Sequence, residues 1–184
     1  MKTSVKVALS ISLVWIIINL IIYLIGFSRE FFAIGILLNI FFLLASIAVG
    51  LFLSRKEKKF AETLFLEDFK VAMQSGIVYA IIISGFLYVY HNNIDTSIRQ
   101  SLTDARIESL HNTYPDEESF KVLQESNPEW KDKNYDFFIE EQEDITKGIY
   151  SAFSVFIFHL MGLFLFAMFF SFFGTIIIRR VILR

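Results

Sequence analysis

The stretch VAMQSGIVYAIIISGFLYVY, residues 71–90, runs for twenty residues without an Asp, Glu, Lys or Arg. At 1.5 Å per residue it makes a helix of about 30 Å, the thickness of a bilayer's hydrocarbon core. The chain on its two sides differs sharply in charge. Before it, residues 54–70 carry Arg55, Lys56, Lys58, Lys59 and Lys70; after it, residues 91–147 hold fourteen acids against six bases. A helix that separates a basic segment from an acidic one has the pattern of a membrane span.

Working outward, three further apolar runs appear, at 7–25, 31–53 and from about 148 to 178. Each is long enough to cross a bilayer, so the expectation is an all-α polytopic membrane protein with four transmembrane helices. The composition agrees: 55% of the 184 residues are hydrophobic, 22 of them Phe. Lys2 and Lys6 ahead of the first run imitate a signal peptide. Tyr23-Leu24-Ile25-Gly26 offers no small-x-small cleavage site, however, and the run should stay as an anchor.

Lys2, Lys6, the bases of residues 54–70, and Arg179, Arg180 and Arg184 all fall on one side of the four spans. The positive-inside rule puts that side, with both termini, in the cytoplasm of a bacterial inner membrane. Residues 91–147 then form an acidic periplasmic insert between spans three and four. Tyr88, Tyr90 and Tyr150 suit the outer interfacial belt. The fourth run has 31 residues, too many for the bilayer. Ile149, Tyr150 and Ser151 are expected to project from it, continuing a helix of the insert.

The insert reads as a small helical cap. Ile98, Leu102, Ala105 and Leu110 make an apolar stripe, with Asp95 or Thr96 as N-cap. Tyr114-Pro115 breaks that helix and Asp116 opens another, while Asn127-Pro128 supplies a further start. Trp130, Tyr135, Phe137, Phe138 and Ile139 give the last stretch an apolar surface.

Within the spans, Ala72, Gly76, Ala80 and Ser84 recur at four-residue steps and lay a smooth groove along span three. Ser46 and Gly50, and Ala167, Ser171 and Thr175, offer similar patches. Such a groove serves either internal packing or the helix of another membrane protein or a second copy. Asn19, Asn39, Ser84 and His159 fall within about two turns of one level in the outer half of the membrane. They are expected to form a buried polar cluster, because a lone amide or imidazole in hydrocarbon is costly.

Reaction chemistry is not legible. Without cysteine there is no thiolate site. No metal-binding, nucleophile-elbow or phosphate-loop motif occurs, and the acids lack EF-hand spacing. His91 and His159 are poorly levelled for a haem. No cofactor is therefore expected, and the scattered bases with a net charge of −2 leave no nucleic-acid footprint.

Phe69-Lys70 leading into span three, Gly76, Tyr79, the exit Tyr88-Val89-Tyr90, Ile94-Asp95 and the polar helical insert before the last span carry a resemblance. In these features the chain resembles an uncharacterised Bacteroidetes-type family of four-span inner-membrane proteins, a domain of unknown function. The resemblance implies the four-span fold over nearly the whole chain and carries over no catalytic or binding residue. The reading that follows is a non-enzymatic accessory or assembly subunit of an inner-membrane complex, such as an envelope glycosyltransferase, a secretion machine or a transport machine. The alternative is a small transporter or channel built on His159, Asn19 and Asn39.

Overall fold

A computed structural model describes residues 2–182; Arg184 of the expected basic tail lies outside them. The described residues are helical and contain no strand. Four helices are long and apolar enough to cross a membrane: α1 (Thr3–Leu24), α2 (Ser28–Glu57), α3 (Phe65–Val89) and α7 (Ala152–Ile182). Between α3 and α7 come a π-helical turn (Tyr90–Ile94), α4 (Ser97–Thr113), α5 (Glu117–Ser126), a 3-10 turn (Pro128–Trp130) and α6 (Tyr135–Ile149). Tyr90–Val155 is one compact unit, and the residues on either side of it form the other.

The spanning unit inverts the polarity of a water-soluble bundle. Leu37 is 69% exposed, whereas Ser46, Ser75 and Ser84 are fully buried. Outward apolar side chains meet lipid, and small inward residues let backbones approach closely enough for dispersion to hold the helices together. Backbone amides are satisfied within each helix, as hydrocarbon requires. Trp15 closes one part of the core edge-on against Phe86, with ring centroids 6.0 Å apart.

The two short connections use the same device. At the end of α1 the amides of Gly26 and Phe27 turn back to Tyr23 and Ile22, with Gly26 at φ +77°. At the end of α2 the amides of Lys59 and Phe60 turn back to Lys56 and Arg55. This is a Schellman closure, which favours glycine at its left-handed position. The second closure has no glycine, and Lys59 and Phe60 hold φ values of 52° and 56°.

Three helix boundaries differ from the sequence expectation. α2 runs four residues past 53 and α3 starts six residues before 71, so the basic loop shrinks from 54–70 to 58–64. Charged Arg55 and Asp68 end the apolar runs without ending the helices. At the other junction, α6 stops at Ile149 and does not continue through Ser151 into the last span. The Ser151 hydroxyl accepts the Ser154 amide at 3.2 Å, and the Ser154 hydroxyl donates to the Gly148 carbonyl at 2.7 Å, which fixes a turn.

The cap unit has its own core. Phe120 stacks on Phe138 at 4.8 Å, Trp130 meets Phe138 edge-on at 4.8 Å, and all three are buried. Local signals start its helices. Asp95 accepts the Ser97 amide, Asp116 makes a capping box with Ser119, and Asn127 precedes Pro128. Asn134, which caps α6 by accepting the Phe137 amide, was the start signal that sequence reading passed over. Tyr90 is buried and donates to Asp95 at 3.3 Å, so it does not serve in an interfacial belt.

Candidate functional site

α2, α3 and α7 each carry a line of buried residues at four-residue steps, and each line ends on a charge. On α2 the line is Gly35, Asn39, Leu43, Ile47, Leu51 and Arg55; on α3 it is Ser84, Ala80, Gly76, Ala72 and Asp68. On α7 it is Leu163, Ala167, Ser171 and Thr175, and one further step reaches Arg179. Four-residue steps drift only slowly around a helix, so each charge faces the same way as the packed line before it.

The three charges meet. Arg55 and Asp68 are 2% and 3% exposed, and their side chains approach to 3.4 Å. Arg179 donates from Nη1 to Asp68 Oδ2 at 2.8 Å and to the Thr63 carbonyl at 2.7 Å. Arg55 Nη1 donates to the Ala61 carbonyl and to the Thr63 hydroxyl, both at 2.6 Å. That hydroxyl in turn lies 2.9 Å from both Asp68 oxygens. Each charge also suits its helix: the arginines lie in the last turns of α2 and α7 and the aspartate in the first turn of α3. One carboxylate between two guanidinium groups leaves the cluster with a net positive charge. Arg55 Nη2 is buried there without a hydrogen-bond partner among the described residues.

A second polar junction joins α1, α2 and α3. The Ser75 hydroxyl lies 3.0 Å from that of Ser46 and is within hydrogen-bond reach of the Ser46 carbonyl at 2.8 Å and the Ser4 carbonyl at 3.2 Å. Ser4 donates its own hydroxyl to Gln74 Oε1 at 3.3 Å. Gly50 makes room for this junction, because a Cβ there would stand 2.7 Å from Ser75 Oγ. One step further along the bundle, the Tyr79 hydroxyl donates to Asn39 Oδ1 at 2.7 Å.

The residues anticipated from sequence are placed as follows. Asn39 is buried and its partner is Tyr79. Asn19 donates to the Trp15 carbonyl of its own helix at 3.0 Å. Ser84 is fully buried with no hydrogen-bond partner for its hydroxyl among the described residues, and His159 is half-buried on α7. Ala72, Gly76, Ala80 and Ser84 line one buried face of α3, but that face is not left open for another protein. At Gly76 a Cβ would sit 2.8 Å from Ala167 Cβ and 3.0 Å from Ile47 Cδ1, so the chain's own α7 and α2 fill the groove. Among the described residues no three His, Asp or Glu side chains gather to hold a metal ion.

In the cap, His111 Nε2 lies 3.0 Å from Glu143 Oε1 and joins α4 to α6, while Lys147 donates to Glu143 at 3.2 Å. The hydrogen bond with His111, then that from Lys147, holds the Glu143 carboxyl below its ordinary value of 4.5. A cavity of about 370 Å³ opens between the same helices, with Arg106, Thr113, Gln142 and Tyr150 in its wall.

The buried charge cluster, Ser75 and Tyr79 were not anticipated as site residues. The signal that finds the charges is the step pattern itself, carried one turn beyond the apolar run. The sequence profile of the family described as "Protein of unknown function (DUF4199)" matches residues 6–180, and the chain belongs to that family. No curated protein and no solved structure matches.

Proposed function

We propose that this member of a family without an assigned activity is a non-enzymatic accessory or assembly subunit of a bacterial inner-membrane complex. In this reading the Lys- and Arg-rich helix ends lie in the cytoplasm and the cap lies in the periplasm. The observation that supports it most is the outer face of α6. There Phe137 and Ile145 stay exposed beside Glu140, Glu141 and Asp144, around a groove of about 500 Å³. An apolar strip edged by acids suits a partner segment with apolar anchors and basic flanks. The compact cap holds that strip in fixed geometry, which limits the ordering cost of association.

The test is photocrosslinking from Phe137 and Ile145 positions in native membranes, followed by mass spectrometry. The expected result is one and the same polypeptide from both positions, lost in a Glu140→Lys, Glu141→Lys, Asp144→Lys variant. Crosslinks within this chain alone would overturn the reading.

A second reading, a small transporter or channel, draws on the polar side chains that follow one another through α2 and α3. These run from Asn39–Tyr79 through Ser46–Ser75 to Arg55–Asp68. It requires ion or solute flux through proteoliposomes carrying this chain alone, and that flux should fall on Asn39→Leu.

A further inference from the structure

The start of α1 and the first half of α3 leave a lipid-facing groove of about 570 Å³ between them. Both charged residues among its described lining are lysines, Lys2 and Lys70, each exposed. Neither forms an ion pair among the described residues. Beyond them the wall is apolar, with Phe69, Met73 and Ile77 along one face of α3. From Lys70 to Val78 the groove descends eight residues, about 12 Å, most of the depth of one leaflet's hydrocarbon.

One polar group interrupts that wall. Gln74 stands one turn, about 6 Å, deeper than Lys70. Its Oε1 accepts from Ser4, and its Nε2 hydrogens have no acceptor among the described residues. A carboxamide facing hydrocarbon with unused donors is costly unless something in the membrane accepts from it. The acceptors found just below a headgroup are ester carbonyls.

We infer that this groove is a site for one anionic phospholipid of the leaflet that meets the Lys- and Arg-rich helix ends. Its phosphate lies between Lys2 and Lys70, an ester carbonyl accepts from Gln74 Nε2, and one acyl chain lies along Phe69, Met73 and Ile77. Cations at phosphate level, a donor at ester level and an apolar track beneath follow the order of groups in the lipid itself. The site is separate from the basic loop, because Lys56, Lys58 and Lys59 lie outside its described lining.

The full chain in mild detergent, titrated with phosphatidylglycerol or phosphatidylcholine and followed by native mass spectrometry, tests this. One phosphatidylglycerol should be retained in preference to phosphatidylcholine. The Lys2→Gln, Lys70→Gln double variant should weaken that retention by about thirtyfold. The Lys56→Gln, Lys58→Gln variant, with the same change in charge, should retain the lipid, and inorganic phosphate should not displace it. In the unaltered chain, phosphatidylglycerol with a photoreactive acyl chain should label α3 around Met73 and Ile77. Equal loss in both double variants would reduce the site to diffuse surface charge. Displacement by phosphate would make it a simple anion site, and labelling spread evenly over the four spans would remove it altogether.

Discussion

Arg179 and Asp68 stand 111 positions apart in sequence and 2.8 Å apart in space. Their contact ties the last turn of α7 to the first turn of α3, and through Thr63 and Arg55 it gathers the loop and the end of α2. Three helices that pack through small residues are thus joined at one end by charges. The packing lines lead to that junction by their own periodicity.

Asp68 is the centre of that junction, and Asp68→Asn leaves two guanidinium groups facing each other without a carboxylate. Removing one partner of a buried ion pair costs about 3–5 kcal/mol. Unfolding of the variant in mild detergent should show a loss of that order, and trypsin should gain access to Lys58 and Lys59. Arg179→Gln should cost less, since that side chain is 26% exposed. An unchanged midpoint for Asp68→Asn would mean that water already bridges the cluster.

At Gly76 the contact is steric. A methyl group there meets Ala167 Cβ at 2.8 Å, a distance real side chains do not tolerate, and overpacking of this kind costs about 1–3 kcal/mol. Gly76→Ala should destabilise by that amount, and Ala167→Gly in the same chain should recover part of it. Two losses that simply add would place the helices further apart than the structure has them.

The spans were legible because hydrocarbon thickness and apolar run length are the same physical quantity. Their ends were not, because hydropathy reads Arg55 and Asp68 as exits from the membrane while the backbone continues helically through both. The charges stay buried by neutralising one another, and nothing within ten residues of Asp68 announces Arg179. The small-residue face of span three was equally legible as a packing surface. What fills it depends on α2 and α7, which lie elsewhere in sequence. Asn19 shows a different limit: its amide is satisfied by the Trp15 carbonyl one turn back, a partner that no depth argument brings forward.

Asn39 and Tyr79 offer a cleaner measure of polar packing in the spanning unit. Tyr79→Phe removes the donor at 2.7 Å and leaves Asn39 Oδ1 buried without it. Interhelical hydrogen bonds in membranes average about 0.6 kcal/mol and reach about 1.7. The single variant should fall in that range, and Asn39→Leu combined with Tyr79→Phe should cost less than the sum of the two. Strict additivity would show that the pair does not interact.

Lys59 holds φ at 52° where the matching closure after α1 uses Gly26. A left-handed non-glycine residue costs about 1–2 kcal/mol, partly offset on substitution by the greater freedom of glycine in the unfolded chain. Lys59→Gly should therefore stabilise the protein by about 0.5–1 kcal/mol in thermal or chemical unfolding. A loss would show that the lysine side chain makes a contribution larger than its backbone strain.

The cap should respond to acid through Glu143. Its carboxyl titrates below 4.5 because His111 and then Lys147 hydrogen-bond to it. A lowered folded-state value adds stability that is complete above the ordinary carboxylate range and lost as the pH falls through the lowered value. Lys147 is displaced the other way, above 10.5, chiefly by its hydrogen bond to Glu143, so its share persists through neutrality and fades only in strong alkali. Unfolding followed by Trp130 fluorescence in a Trp15→Phe background isolates the cap. Glu143→Gln should be less stable than the parent at pH 7, and the difference should close as the pH drops below about 4. A difference that stayed constant into acid would assign the effect of Glu143 to packing and not to its charge.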